Sequence, residues 1–157
     1  QLFNDPKLLD AIFQHLDIFE LLLAAIACRS WAQRASSPSR RSKVSFSSKV
    51  AANLRDHEIV RFLRIHSKHL SEIDLSGCKK LSDTSLVCIA ESCGSRITSI
   101  SFRGCPGVSD FGICVLLRAA ASTLKQVDLS FCPGLSDSAF QELGRAPRLE
   151  ALRAAGA

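Results

Sequence analysis

The chain has 157 residues, of which 46% are apolar, and it carries a net charge of +5. This length can bury a core as one domain, or as a small domain joined to a short repeat array. The longest apolar run, residues 21–28, falls well below the roughly 20 residues of a membrane-spanning helix, and the acidic residues 1–28 do not fit a signal peptide. We therefore expect neither a membrane span nor a secretory leader.

Seven cysteines are present, with no C-x-x-C pair and no histidines at zinc-binding spacing. This pattern favours structural thiols in a reducing compartment, which means the cytoplasm, the nucleus or both. We expect no disulfide framework, no metal site and no cofactor.

The positive charge is concentrated in residues 29–68, which hold ten Lys and Arg against two acidic residues. This basic segment is either an ordinary solvated surface or a binding surface for an acidic partner or for phosphates. The absence of Tyr and of alternating aromatic and basic residues argues against nucleic acid as the partner.

Residues 1–36 are predicted to form three short amphipathic helices, because apolar residues recur there at helical spacing. The first helix presents Leu8, Leu9, Ile12, Phe13 and Leu16, the second Phe19, Leu22, Leu23 and Ile26, and the third runs from Cys28 to Ala35. Three short helices bury little apolar surface among themselves, so part of it should meet the first repeat or a partner.

This segment resembles an F-box. The residues that carry the resemblance are Ile12-Phe13-x-x-Leu16-Asp17, then Phe19-Glu20-Leu21-Leu22, then Ala27-Cys28-Arg29-Ser30-Trp31. The segment departs from the motif at Asn4-Asp5, where Leu-Pro usually stands, and in lacking a second Trp near residues 44–46. The resemblance implies an all-α module over residues 1–40 that docks on the Skp adaptor of a cullin-RING ubiquitin ligase. The implied adaptor contacts, each of which could instead be internal core, are Pro6, Leu9, Ile12, Phe13, Leu16, Leu22, Ala27, Cys28 and Trp31.

From residue 70 the chain repeats with a period of 27 residues. The copies are Leu70-x-x-Ile73-x-Leu75-x-x-Cys78, Ile97-x-x-Ile100-x-Phe102-x-x-Cys105 and Leu124-x-x-Val127-x-Leu129-x-x-Cys132. The second half of each copy changes to helical spacing, so each unit is predicted to be strand, turn and helix. We expect strands near 72–76, 99–103 and 126–130 and helices near 84–93, 111–120 and 138–144. Asp83, Asp110 and Asp137 stand at the predicted helix starts, where a short acceptor side chain caps free backbone N–H groups.

Two irregular copies flank the three regular repeats at 70–96, 97–123 and 124–148. Residues 43–69 form a degenerate first repeat, whose strand near Val44 is displaced by two extra residues. Residues 149–157 begin a partial repeat after a unit shortened by two residues. Because such a stack leaves an apolar end face uncovered, we expect further repeats or a cap beyond it.

The repeats resemble the cysteine-containing class of leucine-rich repeats, and a helical module followed by such repeats resembles the F-box and leucine-rich-repeat family. The implied fold is α/β: a leucine-rich-repeat solenoid over 41–157 with a parallel sheet, preceded by the F-box-like helical module. In this fold the three repeated cysteines, Cys78, Cys105 and Cys132, are small buried residues between layers.

Alternation along each strand directs a row of side chains away from the core. Those expected to bind a partner on the concave face are Glu72, Asp74, Ser101, Arg103, Gln126, Asp128 and Arg153. The family resemblance implies that an unknown protein substrate binds there. An alternative is a structural subunit that uses the same fold as a scaffold against neighbouring subunits of a large complex. We expect no catalysis, because the four histidines have no Ser or Cys partner at a recognisable motif spacing.

Overall fold

The computed structural model describes residues 7, 8, 11, 42–46 and 48–156. Within residues 42–46 and 48–156, short strands and helices alternate in the order that the 27-residue unit predicts. The structure is therefore α/β over the whole repeat region that it describes.

Five three-residue strands form one parallel sheet and are hydrogen-bonded in chain order. They are β1 (Lys43–Ser45), β2 (Glu72–Asp74), β3 (Ser99–Ser101), β4 (Gln126–Asp128) and β5 (Ala151–Arg153). Ile73 pairs with Ile100 and Ile100 with Val127, so the central strands keep the 27-residue register. Val44 pairs with Ile73 and Val127 with Leu152, which matches the two extra residues of the first repeat and the two missing residues before the last strand.

The backbone pairing continues beyond the formal strands. The Leu75 N–H donates to the Ser101 carbonyl at 2.9 Å, and the Gly77 N–H donates to the Arg103 carbonyl at 2.7 Å. The predicted strands near 72–76, 99–103 and 126–130 are thus shorter as regular strands, yet their ends remain hydrogen-bonded to the next repeat.

The helices of the described residues are α1 (Ser48–Ala51), α2 (Asp56–His66), α3 (Asp83–Cys93), α4 (Asp110–Ala120) and α5 (Asp137–Leu143). The three regular helices begin one residue before the predicted positions, and neighbouring helices from α2 to α5 pack against each other. The short α1, which the repeat pattern did not predict, accommodates the extra residues between β1 and α2. In the part of the chain that is described, none of the helices has the length and apolar character to cross a bilayer.

The core runs continuously between sheet and helices. The middle residue of each inner strand is buried, and so are the repeated apolar positions, which include Leu70, Leu75, Ile97, Phe102, Leu124 and Leu129. Leu152 occupies the same strand position in β5 but is 44% exposed, because no helix follows β5 among the described residues, whereas helices follow β1 and Val44 is buried. Burial of these side chains is the main stabilising contribution to the stack.

The repeated cysteines are fully buried, as the repeat pattern predicted. The Cys105 thiol donates to the Leu75 carbonyl at 3.1 Å, and the Cys132 thiol donates to the Phe102 carbonyl at 3.0 Å. Each of these thiols therefore adds a second hydrogen bond to a carbonyl of the preceding repeat that already accepts a backbone N–H. Burial raises the pKa of Cys105 to about 11, so the group remains a neutral thiol at neutral pH.

The predicted capping role of the aspartates is wrong. Ser82, Ser109 and Ser136 are the N-cap residues, and each accepts a hydrogen bond from the backbone N–H two residues later at 3.3 Å. The aspartates follow as the first helical residue, and the carboxylates of Asp83 and Asp110 accept hydrogen bonds from the next repeat.

The aspartates instead link consecutive repeats. Asp83 accepts from the Ser109 N–H at 2.9 Å and from the Ser109 hydroxyl at 2.6 Å. Asp110 accepts from the same two groups of Ser136, and these hydrogen bonds lower the pKa of Asp110. We call this series of bonds the aspartate–serine ladder.

The aspartate–serine ladder begins in the degenerate first repeat. Asp56 accepts from the Ser82 N–H and hydroxyl at 2.9 and 2.8 Å, and from the buried Ser85 hydroxyl at 2.7 Å. Burial alone would raise the pKa of Asp56, but these hydrogen bonds together outweigh it and lower the pKa. Each repeat thus fixes the helix start of the next one.

Removing one link of the aspartate–serine ladder should weaken the whole stack. Asp83→Ala leaves both donors of Ser109 without their acceptor, and we expect the free energy of unfolding to fall by about 1–3 kcal/mol. The matched control is Asp137→Ala, because Asp137 has the same helical position but no hydrogen-bond partner among the described residues. The control should cost at most about 0.5 kcal/mol. Urea unfolding measures both values, and equal losses would contradict the ladder.

Replacing a repeated thiol tests the second link between repeats. Cys105→Ser should lower the free energy of unfolding by about 1–3 kcal/mol, because the shorter C–O bond draws the buried donor away from its carbonyl acceptor.

In the native protein, a thiol reagent at neutral pH should react with the half-buried Cys88 and Cys114 long before Cys105. Rapid native-state labelling of Cys105 would show that the burial is wrong.

Candidate functional site

The candidate site is an open groove on the sheet face that points away from the helices. Its volume is about 420 Å³, and it extends across all five strands, from Lys43 in β1 to Arg153 in β5. All seven side chains predicted to bind a partner line this surface, which we call the sheet groove: Glu72, Asp74, Ser101, Arg103, Gln126, Asp128 and Arg153.

Strand alternation positions these side chains. In β2, Ile73 points into the core while Glu72 and Asp74 are half-buried on the opposite face, and β3 repeats the pattern with Ile100 between two serines. The sheet groove is therefore polar on a base of core residues, and most of its central side chains are short.

Two aspartates of the sheet groove are held by their own strand ends. Asp74 accepts from the Ser76 N–H at 3.0 Å and from the Ser76 hydroxyl, which in turn lies 2.8 Å from the hydroxyl of Ser101. Asp128 accepts from the N–H of the buried Ser130 at 2.9 Å. These carboxylates hold the turns after the strands and still expose oxygen atoms to the groove.

The basic residues of the sheet groove differ in their partners. Lys43 forms an ion pair with Glu72 at 3.5 Å across β1 and β2, and both side chains are largely solvated. Neither Arg103 nor Arg153 forms an ion pair with any of the described carboxylates. An exposed ion pair such as that of Lys43 with Glu72 contributes little to stability. The side chains of Lys43, Arg103 and Arg153 are therefore available to bind a partner.

Phe131, which lies beside the groove, was not among the site residues predicted from the sequence. The Arg103 guanidinium lies 5.1 Å from the centre of the Phe131 ring, within the range of a cation–π interaction. Phe131 is 52% exposed and has a φ of 59°, whereas the equivalent positions, one residue before Cys78 and Cys105, are glycines with φ of 74° and 69°. The sequence signal was available, since Phe replaces Gly before the third repeated cysteine.

The nine predicted adaptor contacts, from Pro6 to Trp31, lie outside the described residues. The basic segment is described only from residue 42 onward, where its Lys and Arg side chains are exposed along β1, α1, α2 and the turns beside α2.

Among the described histidines, His66 stacks on Phe62 with ring centres 4.7 Å apart. No group of three or more His, Cys, Asp or Glu in the described part of the chain is arranged to hold a metal ion.

Residues 66–90 match the family model described as Leucine Rich repeat. The matched segment runs from the end of α2 through most of α3, and the same strand-turn-helix unit recurs in the structure on its C-terminal side. The chain thus contains a leucine-rich repeat within a parallel α/β fold, a type of repeat that presents a surface for protein interaction.

No curated protein sequence matches the chain. Among the solved structures that match is the crystal structure of the Rad7 and Elc1 complex in yeast, with 20% identity and a TM-score of 0.48. The likeness covers 65% of this chain and 33% of that chain, so the matched region spans about a third of the solved protein.

Some side chains of the sheet groove should stabilise the fold, whereas others should only face solvent. Asp128→Ala removes the acceptor of the buried Ser130 N–H, and we expect it to lower the free energy of unfolding by about 1–2 kcal/mol. Arg153, its neighbour in the sheet register, has no described ion pair, so Arg153→Ala should change the stability by at most about 0.5 kcal/mol. Urea unfolding of both variants checks this difference, and a reversed order would contradict the assignment.

Proposed function

We propose that this chain is a non-catalytic adaptor, the substrate-recognition subunit of an SCF-type cullin-RING ubiquitin ligase. In this role the sheet groove holds a protein substrate, and the N-terminal segment docks on the Skp adaptor. Such a complex acts in the cytoplasm or the nucleus, and the free thiols of the six described cysteines suit a reducing compartment.

The observation that carries the substrate-binding half is the sheet groove itself. Seven polar side chains from β2 to β5 and the turn after β3 converge on one open surface whose backbone is fixed by parallel pairing and by bonds between repeats. A platform whose backbone is already fixed loses little backbone conformational entropy when a partner binds. It also leaves room for the side chains of an extended or helical segment.

The adaptor-binding half rests on the resemblance of residues 12–31 to an F-box. The apolar positions predicted for the helices of residues 1–36, among them Leu9, Ile12 and Leu16, supply the kind of surface that a helical partner covers. The second candidate is a scaffold subunit that packs against neighbouring subunits without recruiting a ligase. The departure from the motif at Asn4-Asp5 is the observation that favours this candidate.

Two acidic substitutions in the F-box-like segment should separate these roles. Ile12→Asp combined with Leu16→Asp would place two carboxylates in an apolar interface at a cost of several kcal/mol, so we expect recovery of purified Skp adaptor to be lost. The matched control is Arg153→Glu in the sheet groove, which should leave Skp recovery unchanged. Affinity capture with quantification of bound Skp provides the measurement.

Capture from cell extract gives the second part of this test. Recovery of Skp together with a cullin by the wild-type chain, and its loss in the double variant, is the outcome expected of a ligase subunit. Stoichiometric recovery of one large assembly without Skp would establish the scaffold role instead. Failure of the wild-type chain to bind purified Skp at micromolar concentration would refute the adaptor half of the proposal.

A further inference from the structure

We propose that Arg103 and Phe131 together form the specificity-determining anchor of the sheet groove. The partner that they select is a protein segment with an Asp or Glu side chain next to an apolar one. This inference rests on the proposed function of the groove and names the chemistry of its partner.

The first observation is the backbone conformation of Phe131. Its φ of 59° lies in the left-handed region, which costs a side chain with a Cβ of the order of 1 kcal/mol or more but costs glycine little. Gly77 and Gly104 hold the equivalent turns, and Gly156 holds the turn after β5 with a φ of 65°. The fold would therefore accept glycine at position 131, and the ring needs a reason other than the turn.

The second observation is the environment of the ring. More than half of Phe131 is exposed, so the ring keeps a large apolar surface that no described residue covers. The Arg103 guanidinium lies 5.1 Å from the ring centre, and a Cβ at Gly156 would meet Cδ1 and Cε1 of the ring at 3.1 and 3.3 Å. The ring therefore lies against the turns after β3 and β5 while much of its surface remains open to solvent, as in an aromatic interface anchor.

The third observation is the charge of Arg103. Its guanidinium has no carboxylate partner among the described residues, and Phe131 contributes only the face of a ring. A guanidinium stacked on an aromatic ring keeps its planar N–H donors available at its edge, where they can bind a carboxylate with two parallel hydrogen bonds. The adjoining phenyl surface then accepts an apolar side chain of the same partner segment.

The groove favours a carboxylate over a phosphate. Asp74 and Asp128 line the same surface and expose carboxylate oxygens, so an incoming anion experiences repulsion as well as attraction. The three cations of the groove are balanced by three carboxylates, so no excess positive charge is available for the roughly two negative charges of a phosphoryl group; these residues are Lys43, Arg103, Arg153, Glu72, Asp74 and Asp128. The partner is therefore an acidic segment that does not require phosphorylation.

The test starts from a phage-displayed library of random dodecapeptides, selected on the intact chain. We expect the selected peptides to be enriched in Asp or Glu next to Leu, Ile, Phe or Trp. The most enriched peptide is synthesised with a fluorescent label, and fluorescence anisotropy gives its affinity for the wild-type chain and for each variant. A phosphoserine version of the same peptide, with the acidic residue replaced, forms the second arm.

The variants separate the anchor from the fold. Phe131→Gly should weaken binding at least about tenfold while changing the unfolding midpoint only slightly, because relief of the left-handed strain offsets the lost contacts of the ring. Phe131→Tyr should retain most of the affinity, since it restores the ring. Arg103→Gln should also weaken binding at least about tenfold, and Arg103→Lys should recover only part of the loss. Arg64→Gln, an exposed arginine of α2 away from the groove, should change the affinity less than about twofold.

Four results would overturn the inference. These are a library without acidic enrichment, an affinity that survives Phe131→Gly, an unfolding midpoint that collapses in Phe131→Gly, and tenfold tighter binding of the phosphoserine peptide. Selected peptides that respond to Arg153→Gln but not to Phe131→Gly would retain the groove as a binding surface and reject only this anchor. Skp recovery by the same chain is measured independently, so the ligase proposal stands or falls separately.

Discussion

Hydrogen bonds between consecutive repeats are the interaction on which the rest of this structure depends. A single strand-turn-helix unit cannot bury its apolar face alone, and stacking leaves polar groups at each junction that must find partners. The aspartate–serine ladder meets this need at the helix starts, where Asp83 accepts two hydrogen bonds from Ser109. The buried thiols meet it at the strand ends, where Cys105 donates to the carbonyl of Leu75. Both contacts lock the same 27-residue register.

The register in turn explains why the sheet can carry a binding surface. The core, the thiols and the aspartates fix the backbone. Most side chains on the open face therefore contribute little to the stability of the fold. Asp74 and Asp128 are exceptions that hold their own turns, while Arg103 and Arg153 face outward without a described ion pair. A partner can therefore be selected by changing a few side chains on an unchanged platform.

Much of the repeat fold was predictable from the sequence, since apolar spacing and a fixed period report directly on strands, helices and buried cysteines. The displaced strands at Val44 and Leu152 followed from the same comparison. The role of the aspartates was not predictable in this way, because Asp83 and Ser109 are 26 residues apart and periodicity does not report which side chains bond across a junction. Phe131 breaks the repeated glycine before the cysteine, which the sequence shows, but its left-handed backbone and its contact with Arg103 appear only in the structure.

The central claim is that bonds between repeats, at helix starts as well as in the core, make the stack one cooperative unit. Native-state amide hydrogen exchange at Ser109 tests it most directly, because this N–H bonds only to the carboxylate of the preceding repeat, whereas the Phe102 N–H belongs to the sheet pairing. Both amides should exchange through the same global opening, with similar protection. Exchange of Ser109 at the rate of an unprotected amide, while Phe102 remains protected, would contradict it.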